Sequence, residues 1–179
     1  VDAPNVAYAR QNFDGGCFSY HQIDLFVQQL KERGEKVMVL LPHKYLQSTI
    51  PNHAKHAGEG KWAPTAKHEV TPQEKAIIAR WEEEEMLVRT PLGANDDWYW
   101  MLASVLPCEP RIKVVSNDQM RDHRLALLEP RPFTRWKSTQ IVRFDLSHAF
   151  EPERVESGEL AVPDITLVPP PPFFSEMQL

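Results

Sequence analysis

Short apolar runs alternate along the chain with amphipathic stretches, and this pattern predicts an α/β domain with a largely parallel sheet. Capping and stop signals mark the helices, because Ser19, Thr71 and Asn95 stand before helical stretches and Gly34 follows one. The predicted strands are Lys36–Leu41, Met86–Arg89, Arg111–Ser116, Gln140–Leu146 and Val162–Val168. The predicted helices run from Ser19 to Leu30, from Thr71 to about Glu84, and over Asp96–Leu106 and Asp118–Leu128.

Two segments lack this alternation. The stretch from Pro51 to Thr71 is rich in Pro, Gly, His and Lys, which predicts an exposed, mobile insertion. The run Pro169–Pro172 is typical of an extended polyproline segment leaving a domain. We therefore expect one domain over residues 1–168 and a Pro-rich extension over residues 169–179. Since a strand before Asp2 would have almost no residues, we also expect the chain to be a fragment of a longer protein.

Amino-acid composition narrows the classes of protein to which the chain could belong. The chain has 179 residues, a formal charge of −5 and two cysteines, Cys17 and Cys108. No apolar run approaches the roughly 20 residues that cross a bilayer. The cysteines lack metal-binding spacing, so we expect reduced thiols. The negative charge argues against a strongly basic nucleic-acid-binding surface, so a polyanionic substrate would need metal ions or a basic partner domain.

Carboxylates follow several of the predicted strands, directly or across a short loop. These residues are Asp2, the pair Asp96-Asp97 and Asp118. In an open parallel sheet such positions meet at one edge, where ligands bind. Oxygen ligands without Cys or His pairs match the preference of Mg²⁺ or Mn²⁺. Two such ions about 4 Å apart activate a water and stabilise the leaving oxygen of a displacement at phosphorus. We therefore expect metal-dependent hydrolysis of a phosphodiester.

Neighbouring residues have less definite roles. Asp118 and Asp122 are four residues apart and so lie on one face of the predicted helix, with His123 beside them. Asp122 and His123 could each bind the metal or only support the residues that bind it. The pair Asp96-Asp97 has a second interpretation, a first helical turn favoured by the helix dipole. That interpretation explains one aspartate and leaves Asp2 and Asp118 unexplained.

Other chemistry-bearing residues give weaker signals. Histidines in the polar insertion could form a zinc site, although no cysteine accompanies them. Trp98 and Trp100 are expected to pack against the sheet rather than stack on bases. Scattered basic residues could meet phosphates, although such residues are usually solvated surface. The histidines are His53, His56 and His68, and the basic residues are Arg10, Arg121, Arg135 and Lys137.

Several segments together resemble the metallonuclease domain of proteinaceous RNase P. The most specific is Asn95–Trp100, which contains the sequence Asp-Asp-Trp-Tyr-Trp. The resemblance covers nearly the whole chain. Its other segments are Val1–Tyr8, Asn117–His123, Phe133–Lys137 and Pro169–Pro172.

The resemblance implies a Rossmann-like nuclease fold of the PIN/NYN type, with a mostly parallel sheet flanked by helices. It implies removal of the 5′ leader from precursor tRNA with two Mg²⁺ ions, for which Mn²⁺ would substitute, and a 5′-phosphate on the mature tRNA. The family occurs in nuclei, mitochondria and other organelles. By position, the resemblance assigns metal binding and catalysis to Asp2, Asp96, Asp97 and Asp118. It assigns supporting roles to Asn5, Asp122 and His123.

The chain also departs from this family. Ala3-Pro4 stands where relatives usually have Gly-Ala. Relatives carry an upstream helical-repeat domain that grips the tRNA and a structural zinc module, and neither the CxxC half nor the later His and Cys of that module is present here. We therefore expect no structural zinc, and tRNA recognition through an upstream domain. The alternatives are a PIN/NYN ribonuclease acting on other RNAs and a non-catalytic scaffold domain.

Overall fold

A computed structural model of the chain describes residues 1–13, 15–54, 66–107, 111–121, 123 and 130–171. A 3₁₀ helix at His43–Leu46 follows the first strand. Within these ranges the helices are α1 (Ala3–Ala7), α2 (Tyr20–Glu32), α3 (Pro72–Glu83), α4 (Asp97–Val105), α5 (Pro130–Gln140) and α6 (Pro152–Glu156). The strands are β1 (Val39–Pro42), β2 (Thr49–Asn52), β3 (Ala66–Glu69), β4 (Leu87–Thr90), β5 (Val114–Val115), β6 (Ile141–Leu146) and β7 (Ile165–Val168).

The residues Val1 and Asp2 join two groups of strands into one sheet. On one side β1 pairs in parallel with β4; on the other, β6 pairs in parallel with β5 and antiparallel with β7. The backbone N–H of Leu40 donates to Val1 O at 3.0 Å, and that of Asp2 donates to Val115 O at 3.1 Å. The order across the sheet is therefore β4, β1, Val1–Asp2, β5, β6, β7, which confirms the predicted mostly parallel α/β sheet.

Successive residues of the strands face two separate hydrophobic clusters. Val39 and Leu41 belong to a large cluster with α1 and α2, whereas Leu40 lies in a smaller one with residues of α4 and α5. Side chains alternate between the two faces of a sheet. Helices therefore cover both faces of the sheet, with α1 and α2 on one side and α4 and α5 on the other.

Local sequence signals locate three helix ends correctly. Ser19 accepts a hydrogen bond from Gln22 N and begins α2, and Gly34, with φ of +82°, closes it. The N–H groups of Gly34 and Glu35 return to the carbonyls of Lys31 and Leu30, which satisfies the last turn. At α3, Thr71 and Glu74 form a reciprocal capping box.

Two predicted segments differ from the structure. Residues 117–120 are not helical, and Met120 has φ of +51°, so the predicted helix does not begin at Asp118. The shared helix face proposed for Asp118 and Asp122 is therefore wrong; Asp122 and residues 124–129 lie outside the described residues. The ends of the predicted Pro51–Thr71 insertion form part of an antiparallel pair, in which β2 runs against β3. Its middle, residues 55–65 with His56, also lies outside the described residues, as does Cys108.

None of the helices in the described ranges has the length and apolar character that crossing a membrane requires.

Candidate active site

Asp2 occupies the point where the two halves of the sheet meet. It is also the N-cap of α1, since its Oδ1 accepts a hydrogen bond from Asn5 N at 3.3 Å. Its Oδ2 accepts a second hydrogen bond from the Ser116 hydroxyl at 2.6 Å. Asp2 is only 5% exposed. The carboxylate is thus buried and held by neutral donors on two different segments.

The pair Asp96-Asp97 opens α4 from the loop that follows β4. Asn95 Oδ1 accepts from the N–H of Asp97 at 2.9 Å, which fixes the first turn of the helix. Asp97 Oδ2 lies 2.6 Å from Nε2 of the buried His123. The ring of Trp98 meets the His123 ring edge-on at 4.8 Å. The helix start therefore presents two carboxylates, one of which is oriented by a histidine.

The loop after β5 carries Asp118 and is tied to its neighbours by polar contacts. Asp118 N donates to Ser116 Oγ at 3.0 Å, so this hydroxyl lies between Asp2 and Asp118. Asn5 Oδ1 accepts from Asn117 N at 2.9 Å. The Asn117 side chain bonds in turn to both backbone groups of Phe144 on β6. These contacts bring the start of the chain and the Asp118 loop to one edge of the sheet.

The carboxylates influence one another electrostatically. The pKa of Asp2 is raised to about 7, mainly by burial and also by the charges of Asp96 and Asp97, while the Ser116 and Asn5 hydrogen bonds act to lower it. Burial also raises the pKa of Asp96, with added repulsion from Asp97 and Asp118 and a partial offset from Lys44. Each of the predicted metal-binding aspartates therefore lies within electrostatic reach of at least one other.

Basic side chains do not neutralise this acidic cluster, by which we mean Asp2, Asp96, Asp97 and Asp118. Among the described residues, His123 on Asp97 is the only ion-pair partner of any member. Over the same residues, no three His, Cys, Asp or Glu side chains stand as a preformed ion cage. The donors nevertheless fit a hard divalent cation, because they are carboxylate oxygens whose mutual repulsion such an ion would relieve.

Among the described residues, the tryptophan, histidine and basic side chains that gave weaker signals in the sequence lie away from the four aspartates or contact them only indirectly. Trp100 is buried in the smaller cluster as expected, whereas Trp98 is 42% exposed and contacts His123 instead of the sheet. His68 is engaged by Glu74 at 3.0 Å. Arg10 pairs with Asp145, far along the chain.

Sequence reasoning assigned no role to three residues that the structure brings to the site. Ser116 and Asn117 hold the Asp2 and Asp118 segments together, and Lys44 is the cation that acts on Asp96. The position of Ser116-Asn117 at the carboxyl end of the predicted strand Arg111–Ser116 was a usable signal. Lys44 had none, since only the folded chain brings the 3₁₀ helix near α4.

Comparisons with known proteins all point to one family. Residues 1–153 match the model of the family described as protein-only RNase P. In Arabidopsis thaliana, proteinaceous RNase P 3 is 30% identical over 148 residues, covering 80% of this chain and 22% of the relative. Proteinaceous RNase P 2 from the same plant is 32% identical over 147 residues, covering 80% and 24% respectively. The chain thus spans less than a quarter of the length of these relatives.

A solved structure shares the fold. The nuclear protein-only RNase P 2 of Arabidopsis thaliana matches with a TM-score of 0.63 and 26% identity. The match covers 97% of this chain and 30% of that one. The predicted nuclease-type α/β fold is therefore confirmed.

Proposed function

Because the chain belongs to the protein-only RNase P family, we propose that it is a metal-dependent endoribonuclease that removes the 5′ leader from precursor tRNA. The observation that carries this proposal is the acidic cluster. Four aspartates from three segments gather at one sheet edge, and among the described residues His123 is their only ion-pair partner. A structural role would favour paired or solvated carboxylates over a buried one such as Asp2.

In this proposal Asp2, Asp96, Asp97 and Asp118 hold two divalent ions, Mg²⁺ or Mn²⁺. When bound, such ions lower the pKa of a coordinated water and offset charge on the leaving oxygen. His123 orients the Asp97 carboxylate through its 2.6 Å contact. Ser116 and Asn5 fix Asp2 and the Asp118 loop relative to each other. Asp122 is assigned a supporting role from its place in the motif.

The chemistry would break the phosphodiester that joins the leader to the first mature nucleotide. Water adds to phosphorus and the 3′-oxygen of the leader leaves, so the mature tRNA keeps a 5′-phosphate. Substrate selection would involve the remainder of the longer protein, since the curated relatives extend well beyond the matched region.

The test is cleavage of a 5′-labelled precursor tRNA by the purified chain at high concentration with Mg²⁺ or Mn²⁺. Asp118→Asn is expected to lower the rate by at least about a hundredfold, on the scale of losing one stabilising group at a reacting centre. Asp164→Asn is the matched control, because Asp164 is an exposed aspartate whose side chain makes no described contact. Both variants should keep the circular dichroism spectrum and melting temperature of the unaltered chain.

The position of the cut separates the alternatives. Cuts at the mature 5′ end of several precursors support leader removal, whereas cuts elsewhere would indicate a ribonuclease acting on other RNAs. If the chain alone is silent, the same comparison is made in the longer protein. Equal rates for Asp118→Asn and the unaltered protein there would overturn the metal assignment.

A further inference from the structure

Charge is distributed very unevenly along this acidic chain. Residues 111–143 contain eight Lys and Arg against three Asp and Glu, a formal charge of +5. The rest of the chain therefore carries −10. A single net charge of −5 conceals this separation, and a local basic surface attracts polyanions whatever the overall charge.

Within that segment, α5 presents a basic face. Arg131 and Arg135 are four residues apart and so lie on one side of the helix. Both are exposed, and neither side chain makes an ion pair or hydrogen bond in the described part of the chain. With Pro132 and Trp136 they line an open groove of about 400 Å³. The groove thus combines two uncommitted guanidinium groups with an aromatic ring.

The groove is fixed relative to the acidic cluster. Trp136 stacks on Trp100 of α4 with ring centroids 5.9 Å apart, and its Nε1 donates to Ser104 at 2.8 Å. Lys137 donates to the carbonyl of Gln119, next to Asp118. Because α4 begins at Asp97, both contacts tie α5 to segments that carry site aspartates.

We propose that the face formed by Arg131, Arg135 and Trp136 binds the phosphodiester backbone of the RNA that the acidic cluster cleaves. This inference rests on the proposed function. An acidic cluster repels a polyanion, so a nearby source of positive charge is needed to hold the strand. Guanidinium groups suit phosphate oxygens, and the edge of Trp136 offers an apolar contact for a ribose or base.

The test measures binding of a labelled precursor tRNA in EDTA, where no divalent ion supports cleavage, over a range of NaCl concentrations. Arg131→Gln/Arg135→Gln should raise the Kd about tenfold or more at low salt. It should also lower the slope of log Kd against log salt by about 1.5, as expected for two lost phosphate contacts. The control is Lys36→Gln/Lys75→Gln, which has the same net charge and alters exposed lysines beside α2 and on α3.

The control variant should match the unaltered chain in both Kd and slope. Equal losses in the two variants would show that only net charge matters and would overturn the proposed surface. Unchanged binding by the arginine variant, or no binding by the unaltered chain at low salt, would overturn it as well. Because binding is read without cleavage, the two proposals can fail separately. Misplaced cuts, or equal cleavage rates for Asp118→Asn and the unaltered longer protein, would reject the proposed function, whereas an effect of the arginines on binding would still support the RNA-binding face.

Discussion

Ser116 links the two segments of the acidic cluster that are furthest apart in sequence. Its hydroxyl donates to Asp2 Oδ2 at 2.6 Å and accepts from the N–H of Asp118 at 3.0 Å. A hydroxyl group can do both at once, which neither a carboxylate nor an ammonium group can. The residue is fully buried. Ser116 therefore stabilises an arrangement of like charges without adding a charge of its own.

Divalent ions should stabilise the chain itself, since ligands that bind only the folded state raise its free energy of unfolding. We expect millimolar Mg²⁺ to raise the melting temperature of the unaltered chain and of Asp164→Asn, and EDTA to reverse the rise. In Asp97→Asn the Mg²⁺-dependent rise should be largely lost. Differential scanning fluorimetry measures this without any RNA. A full Mg²⁺ response in Asp97→Asn would remove Asp97 from the ion site.

At the scale of elements, helix ends were predictable where their signals are local. Ser19, Gly34 and the Thr71–Glu74 capping box act on backbone groups within a few residues. The Asp118 segment was mispredicted because its side chain competes for the same backbone groups. Asp118 Oδ1 accepts from Met120 N at 2.9 Å, and Met120 adopts a left-handed conformation. A short polar loop therefore replaces the expected first helical turn.

The contact between β3 and α3 should make stability depend on pH. The Glu74 hydrogen bond raises the pKa of His68 against the effect of burial. Burial opposes ionisation of Glu74, but its bonds to His68 and Thr71 outweigh this and lower its pKa. The histidine contribution is present below its ordinary pKa of 6.5 and is lost as pH rises through the raised value. The glutamate contribution is present above 4.5 and is lost as pH falls through the lowered value.

The pair should therefore stabilise the fold most between pH 4.5 and 6.5. Urea unfolding from below pH 4.5 to above pH 6.5 should show that His68→Gln loses stability inside this window and flattens the pH profile beyond its two ends. His21→Gln, which alters a histidine of α2 without a described side-chain partner, should keep the profile of the unaltered chain. Identical profiles for His68→Gln and His21→Gln would contradict the pairing.

At the scale of the whole molecule, the proposed affinity for RNA depends on where the charged residues lie rather than on the net charge of the chain. The sequence argument against a basic surface relied on the total of −5, which averages over residues that the fold keeps apart. Glu83 and Glu85 lie at the exposed end of α3. At 0.1 M NaCl we expect Glu83→Gln/Glu85→Gln to change the Kd for precursor tRNA less than about twofold. The helix α3 packs with α2 on the opposite side of the sheet from α5, and ions at that concentration screen charges beyond about 10 Å. A large gain in affinity in the same binding assay would show that the net charge of the chain, rather than the local basic face, controls RNA binding.

The positions of the candidate aspartates could be predicted from the sequence, since each stands at a strand end or a helix start. What joins them was not readable, because the contacts of Ser116, Asn117 and Lys44 depend on which segments become neighbours after folding. The basic face was likewise hidden. Arg131 and Arg135 look like ordinary surface residues until α5 is positioned against α4.

The bridging position of Val1 and Asp2 has a consequence for motion. The amide of Asp2 is hydrogen-bonded to β5 and the carbonyl of Val1 is hydrogen-bonded to β1, while the Asp2 side chain is a member of the acidic cluster. Any transient opening of the sheet at the hydrogen bonds of Val1 and Asp2 must also move Asp2 away from the other aspartates of the cluster. An ion bound by the cluster would therefore oppose separation of the two halves of the sheet. We expect Mg²⁺ to slow hydrogen–deuterium exchange at the Asp2 and Leu40 amides.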